Sequence, residues 1–151
     1  MILVDTSVWI EVLKDKTGET VKSFRRRIGD EIVVFSRFIQ LELLQGAKDE
    51  PEWNRLDEYL STQYYLEATE NTWRNAARLY FDLRRSGVTV RSPIDCCIAC
   101  VAMESRALLL HRDRDFESIS RIFPFSNEFF NSGKIRDLGR DLGSKRPGVK
   151  A

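Results

Sequence analysis

The sequence predicts an α/β fold in which helices connect the strands of a parallel sheet. Continuous apolar runs, typical of strands that are buried on both faces, occur at residues 2–4, 32–35 and 107–110. Each run is followed by a segment with helical periodicity. Strands that alternate with helices favour parallel pairing through right-handed crossovers, which is the basis of this fold assignment.

Local signals give the remaining elements in chain order. Ser36 suits a helix N-cap and Pro51 suits a first helical turn. We predict helices at 8–14, 21–28, 37–46, 51–60, 71–85, 93–105 and 113–120, and short strands at 63–66 and 121–125. On the longest helix, the spacing predicts a core-facing side formed by Trp73, Ala76, Ala77, Tyr80 and Leu83.

Length and composition indicate a single domain with a basic extension. A chain of 151 residues that is 42% hydrophobic is expected to form one core. We assign residues 1–130 to this domain and 131–151 to a flexible C-terminal tail, which carries six basic and two acidic residues. An alternative role for the tail is contact with phosphates. The net charge of +1 gives no global sign of nucleic-acid binding.

The same composition bears on location and redox state. No apolar run reaches the ~18 residues that a membrane helix needs, and the N-terminus does not resemble a secretory signal, so we expect a cytoplasmic protein without membrane association. Three cysteines crowd into one predicted helix, at Cys96, Cys97 and Cys100. Their odd number and the absence of a second pair favour reduced, buried thiols over disulfides or a zinc site.

Acidic residues recur where predicted strands end or the next helices begin. Asp5 and Asp113 follow apolar runs, whereas Glu42 and Asp95 share helix faces with apolar side chains. Each acid alone also fits an ordinary role: the aspartates suit N-caps or first helical turns, and Glu42 suits the rim of an apolar stripe, where it reaches water. The carboxyl ends of parallel strands form the ligand crevice of open sheets, so these groups can converge there. Gathered carboxylates repel one another, and Mg²⁺ or Mn²⁺ with all-oxygen ligands relieves that repulsion.

Four stretches, placed on these elements, resemble the PIN domain family and in particular the VapC-type toxins of bacterial toxin–antitoxin pairs. They are residues 4–10 (VDTSVWI), 40–46 (QLELLQG), 93–99 (PIDCCIA) and 113–116 (DRDF). The resemblance implies a three-layer α/β/α fold with a central parallel sheet of about five strands. It also implies a Mg²⁺- or Mn²⁺-dependent endoribonuclease acting on tRNA or rRNA, which forms homodimers and is neutralised by a cognate VapB-like antitoxin.

The resemblance also assigns roles to individual residues. The catalytic acids correspond to Asp5, Glu42, Asp95 and Asp113. The metal ligands correspond to Asp5, Asp95 and Asp113, with Asp115 as an auxiliary ligand, and the supporting hydroxyls to Thr6 and Ser7. His111 stands where many relatives carry a threonine.

An acidic site repels RNA, so basic side chains must flank it. The candidates for RNA binding are Arg25, Arg84, Arg85, Arg91, Arg112 and Arg114, each of which also fits an ordinary solvated helix face. For the antitoxin, by analogy of fold, an apolar groove is expected from Trp9, Val12, Leu13 and the helix at 53–60.

Two other functions stay open at this point. A non-catalytic PIN-like module that binds RNA or protein would show no metal-dependent turnover. An α/β phosphatase would use Asp5 as a covalent nucleophile. That class usually has a second aspartate two residues on, where this chain has Ser7, and a lysine near the last acids, which residues 107–118 lack.

Overall fold

The structure, a computed structural model, describes residues 1–133. The boundary between domain and tail therefore stays a prediction, because most of the tail lies outside the described residues. In chain order the elements are β1 (Ile2–Val4), α1 (Thr6–Leu13), α2 (Glu19–Ile28), β2 (Val33–Ser36), α3 (Arg37–Gln45), α4 (Glu50–Ser61), β3 (Tyr65–Leu66), α5 (Glu70–Arg85), α6 (Pro93–Glu104), β4 (Leu108–His111), α7 (Arg114–Ile122) and β5 (Asn127–Phe129).

The five strands form one parallel sheet in the order β3-β2-β1-β4-β5. The central strand is β1, where Leu3 pairs with Val34 of β2 on one side and with Leu109 of β4 on the other. All three residues of β1 are fully buried, which is why the strand reads as an unbroken apolar run. The predicted α/β/α fold with a five-stranded parallel sheet is confirmed.

The chain order of the sheet positions a crevice between β1 and β4. After β1 the chain moves to β2 and β3 on one side, and it returns to β4 and β5 on the other. Ligands bind at such a switch point, outside the carboxyl ends of the strands. Asp5 follows β1 and Asp113 lies two residues after β4, so both acids stand at this edge.

Two predictions of local structure were wrong. The last strand is Asn127–Phe129 rather than 121–125, because α7 continues to Ile122 and the true strand is a half-buried edge strand without an apolar run. On α5 the buried face consists of Thr72, Ala76, Leu79 and Leu83. Trp73 is 58% exposed, and it lies edge-on against Phe38 with 5.3 Å between ring centroids.

The expectations about thiols and membrane helices can be checked within the described part of the chain. Cys96, Cys97 and Cys100 are free and buried, as predicted. Burial raises the pKa of both the Cys96 and Cys100 thiols to about 12, so they stay protonated and unreactive. Among the helices of residues 1–133, none combines the length and hydropathy that a membrane span requires.

Candidate active site

Asp5 is the N-cap of α1 and is held by its own helix. Its carboxylate accepts hydrogen bonds from the backbone N–H and the hydroxyl of Ser7. The Ser7 hydroxyl oxygen in turn accepts from the backbone N–H of Arg112, 2.9 Å away, so it connects α1 to the segment after β4. Burial raises the pKa of Asp5, although the bonds from Ser7 act against that rise. Asp5 is thus a rigid, nearly buried carboxyl at the end of the central strand.

Thr6 and Glu42 form the second part of the site. The Thr6 Oγ1 donates to Glu42 Oε2 over 2.7 Å, which joins the start of α1 to the middle of α3. Burial raises the pKa of Glu42, the bond from Thr6 lowers it, and the charges of Asp5 and Asp113 raise it again. The structure therefore places Glu42 within electrostatic reach of the acids that follow β1 and β4.

Asp95 lies in the first turn of α6 and is only 9% exposed. Its carboxylate accepts no hydrogen bond from any residue in the range 1–133 that the structure describes, unlike Asp5 and Glu42. Burial and then the negative charges of its neighbours, Asp5 foremost, raise the pKa of Asp95 to about 7. A carboxylate in that setting lacks a positive or donor partner, and a bound cation would supply one.

Asp95 meets Asp113 and Asp115 in a tight cluster, which we call the acidic triad. One carboxylate oxygen from each of the three lies within 4.8 Å of the others. Asp113 is the N-cap of α7, and its Oδ1 accepts from the backbone N–H of Asp115. Asp115 is thus a member of the same cluster as Asp95 and Asp113, although the resemblance implied only an auxiliary role for it.

His111 connects the triad to the edge of the sheet, a role that the sequence did not predict. Its ring is fully buried at the end of β4. Nδ1 accepts a hydrogen bond from the backbone N–H of Asp113 at 3.3 Å, so Nε2 carries the proton and donates to Asn127 Oδ1 at 3.1 Å. In the sequence, the one indication of this role was that His111 is a polar residue at the end of an otherwise apolar strand.

The predicted RNA-binding arginines separate into two groups. Arg91, Arg112 and Arg114 lie beside the acids: Arg91 pairs with Asp113 and Asp115, and Arg112 bonds Ser132 and contacts Glu11. The others are exposed on helices, with Arg25 on α2 and both Arg84 and Arg85 at the end of α5. The pairing of Arg91 with the triad could not be seen in the sequence, because it depends on the path of the segment between α5 and α6.

The donor set fits a hard divalent cation. The acidic triad supplies carboxylate oxygens alone, and two further carboxyls, Asp5 and Glu42, raise the pKa of Asp95 through their charge. Oxygen-only sites are those that Mg²⁺, Mn²⁺ and Ca²⁺ prefer. A bound cation would lower the pKa values that mutual repulsion has raised, which ties the electrostatics of the cluster to cation binding.

Comparison with known proteins agrees with this geometry. The PIN domain family pattern matches residues 2–122, which include all five acids. The chain belongs to the PIN domain family. Its relatives include VapC ribonuclease Mb1587 of Mycobacterium bovis and Ribonuclease VapC11 of Mycobacterium tuberculosis. Each is 35% identical over 125 residues, which make up 81% of this chain and 93% of the relative. The resemblance to VapC proteins that the four motifs indicated is confirmed.

Solved structures of toxin–antitoxin proteins share the PIN fold. VapBC2 from Rickettsia felis, bound to a promoter DNA fragment, has a TM-score of 0.70 and 18% identity, covering 87% of this chain and 100% of that one. FitAcB from Neisseria gonorrhoeae has a TM-score of 0.67 and 22% identity over 87% and 98% of the two chains. Mycobacterium tuberculosis VapC20, described as a sarcin–ricin loop cleaving toxin, has a TM-score of 0.58 and 18% identity over 78% and 94%. At these identities the likeness shows the fold alone.

An apolar groove lies beside the acids, close to where the sequence placed it. It has a volume of about 380 Å³ and is lined by Trp9, Leu13, Phe35, Leu43, Glu52, Arg55, Leu56, Tyr59 and Leu60. An adjoining cavity of about 210 Å³ reaches Thr6 and Glu42, and it shares four lining residues with the groove, Leu13, Leu43, Glu52 and Leu56. Val12 and Trp53, which we expected in the lining, are not part of it. The apolar groove therefore leads to the edge of the acidic site.

Proposed function

We propose that this protein is a metal-dependent endoribonuclease that acts as the toxin of a type II toxin–antitoxin pair. The observation that carries the proposal is the convergence of Asp95, Asp113 and Asp115, with oxygens within 4.8 Å of one another. These acids come from the starts of α6 and α7, far apart in sequence, and a cation that they share is the physical reason for gathering them.

The ion proposed is Mg²⁺ or Mn²⁺, held by Asp95, Asp113 and Asp115 together with Asp5. Such an ion lowers the pKa of a bound water and neutralises charge on a phosphodiester in the transition state. Asp5 is suited to ligation because its bonds to Ser7 keep the carboxylate in one orientation. The fully buried His111 serves to hold Asp113 in place, since both of its ring nitrogens are already engaged.

Glu42 is proposed as the group that orients the attacking water and accepts its proton. Its carboxylate is anchored by Thr6 through one oxygen, and the second oxygen makes no hydrogen bond within the described part of the chain. A raised pKa brings a carboxyl closer to the working pH and makes it a better general base. In this scheme Thr6 positions Glu42, and Ser7 positions Asp5.

The substrate is proposed to be a structured cellular RNA such as tRNA or rRNA. VapC relatives of this chain carry the name ribonuclease. Exposed arginines on two helices, Arg25 on α2 and Arg84 and Arg85 on α5, are suited to contact phosphates. Arg112 and Arg114 are suited to phosphates close to the acids. RNA affinity should accordingly fall as the salt concentration rises.

The proposed protein partner is a VapB-like antitoxin, and the apolar groove is its proposed binding site. The groove is lined mainly by apolar side chains and joins the cavity that reaches Thr6 and Glu42, so an apolar segment could fill it and deliver a basic side chain to the acids. We also propose that the protein forms a homodimer and acts in the cytoplasm, where its RNA substrate resides.

Mapping of cleavage sites on total cellular RNA tests the proposal. We expect discrete cuts with Mg²⁺ or Mn²⁺ and none with a chelator. Absence of any metal-dependent cut would favour the non-catalytic module. An assay with a small phosphate ester runs in parallel, since turnover of that ester without RNA cleavage would instead indicate the phosphatase.

A further inference from the structure

Arg91 makes three hydrogen bonds to the acidic triad. Its guanidinium Nη2 lies 2.5 Å from Asp113 Oδ2, and its Nε lies 3.0 Å from Asp115 Oδ2. The backbone N–H of Arg91 also donates to Asp115 Oδ2, at 3.1 Å. One residue in the segment between α5 and α6 thus engages two of the three acids from both its main chain and its side chain.

These oxygens belong to two of the three carboxylates that would hold a metal ion. Arg91 takes up Oδ2 of both Asp113 and Asp115, while Oδ1 of Asp113 is bonded to the backbone N–H of Asp115. A guanidinium and a divalent ion cannot both occupy the space between these two carboxylates, because a ligand oxygen lies only ~2.1 Å from Mg²⁺. Among residues 1–133, Arg91 is the only cation that forms a salt bridge with either acid.

The Arg91 side chain is held in a way that permits displacement. It is 73% exposed, and exposed ion pairs are individually weak. Its backbone bond to Asp115 keeps the residue next to the triad even when the side chain turns away. The arrangement is a tethered positive group that can leave the carboxylates without unfolding any helix.

We propose that Arg91 is an internal counter-cation, which pairs with Asp113 and Asp115 in the metal-free protein and competes with the divalent cation for them. The inference rests on the proposed metal-dependent function and adds a regulatory residue to it. Arg91 stabilises the repelling acids at low metal concentration, and the ion must displace its guanidinium. The affinity of the triad for metal is therefore lower than the acids alone would give.

The test is direct Mn²⁺ binding, measured on the full chain by the electron paramagnetic resonance signal of free Mn²⁺. We expect Arg91→Gln to bind Mn²⁺ about three- to ten-fold more tightly than the wild type, the effect of removing two exposed ion pairs. Arg91→Lys, which keeps the charge and loses the planar fork, should lie between the two. Arg114→Gln is the matched control, since Arg114 lies between the same two acids in sequence and forms no ion pair in the described part of the chain.

The control separates specific pairing from the general effect of one fewer positive charge. Equal tightening by Arg91→Gln and Arg114→Gln, or no change in either, would overturn the role of Arg91. In that event Mn²⁺ binding itself would still stand, and with it the proposed function. Absence of Mn²⁺ binding by all variants would overturn both.

A second measurement uses the wild-type protein and avoids any folding defect of the variants. The Nε–H resonance of Arg91, assigned by its loss in Arg91→Gln or by sequential connectivities, reports on the bond to Asp115. We expect saturating Mg²⁺ to shift this resonance and speed its exchange with water, whereas an unchanged signal at saturation contradicts displacement.

Discussion

Thr6 donates a hydrogen bond of 2.7 Å from its hydroxyl to the carboxylate of Glu42. The bond joins the first turn of α1 to α3, and it is the only hydrogen bond that the Glu42 carboxylate accepts among the described residues. The orientation of Glu42 therefore depends on one hydroxyl. Because a half-buried carboxylate with one donor is sensitive to the loss of that donor, this pair allows a sharp test of the role proposed for Glu42.

Replacement of Thr6 by valine should slow RNA cleavage while leaving the fold intact. Valine keeps the shape of threonine but removes the donor, and a hydrogen bond to a charged group contributes about 1.5–3 kcal/mol. Cleavage at saturating Mn²⁺ should fall by roughly ten- to a hundred-fold. Thr6→Ser retains the hydroxyl and should keep most of the rate. If Thr6→Val cleaved RNA as fast as the wild type, the hydrogen bond from Thr6 to Glu42 would have no role in the mechanism.

His111 should matter for stability as well as for the position of Asp113. Its buried ring packs 5.1 Å from Phe116 and bonds both Asn127 and the Asp113 backbone. We expect His111→Ala to lower the free energy of unfolding by about 2–4 kcal/mol, because it leaves a cavity and two unpaired polar groups. His111→Asn, whose side-chain oxygen can accept from Asp113, should lose less. Urea denaturation measures the free energy of unfolding of both variants. Equal losses of stability in His111→Ala and His111→Asn would argue against the hydrogen bond to Asp113.

Asp95 should make the metal-free protein less stable as the pH rises. Its pKa is raised from 3.8 to about 7, so the folded state holds a proton that the unfolded state has released. Between about pH 4 and about pH 7 the free energy of unfolding should therefore fall with increasing pH. Asp95→Asn removes the part of this dependence that Asp95 contributes, while that of Asp5 and Glu42 remains, and it should be the more stable protein at about pH 8, by on the order of 1–3 kcal/mol. Thermal unfolding of both proteins in a chelator, compared at about pH 5 and about pH 8, provides the check. A stability difference that does not vary with pH would contradict the raised pKa.

The apolar groove should be needed for the antitoxin and not for cleavage. Leu13, 60% exposed, lines the groove, whereas Leu41, 53% exposed, lies on α3 outside its lining. Leu13→Asp should weaken antitoxin binding at least ten-fold, because it places a charge on an apolar surface, and RNA cleavage should persist. Leu41→Asp should bind as the wild type does. Co-purification of the toxin variants with the product of the adjacent gene measures this, and equal binding by both variants would place the antitoxin elsewhere.

The sequence predicted the buried parts of the fold best. The strands β1, β2 and β4 are apolar because both of their faces are covered, and their order with the helices was enough to indicate a parallel sheet. The edge strand β5 carries Asn127 and Glu128 and has no such pattern. The inward face of α5 was assigned wrongly because Thr72 is buried with its hydroxyl bonded to Glu104, while the large ring of Trp73 points outward.

The meeting of the acids was predictable from the sequence, and the details of their arrangement were not. Asp5 and Asp113 follow parallel strands and Asp95 opens a helix, so the sequence indicated that these acids can meet at one edge of the sheet, and Asp95 does lie in one cluster with Asp113. The presence of Asp115 in the acidic triad depends on the N-terminal turn of α7, in which Asp113 rather than Asp115 is the N-cap, a choice that the sequence left open. The contacts of Arg91 and His111 depend on loop path and ring orientation, which no local pattern encodes.

The most direct test of the account is RNA cleavage by three proteins, each with Mn²⁺ and with a chelator. They are the wild type, Asp95→Asn and the control Asp57→Asn, which changes an exposed acid on α4. The account predicts that the wild type and Asp57→Asn cut at the same rate with Mn²⁺ and stop in the chelator. Asp95→Asn should stay folded by circular dichroism and lose at least about 99% of the rate, since it removes a ligand and a charge from the triad. Cleavage by Asp95→Asn at the wild-type rate, or wild-type cleavage that survives the chelator, would contradict the central claim that the gathered acids hold a cation for RNA hydrolysis.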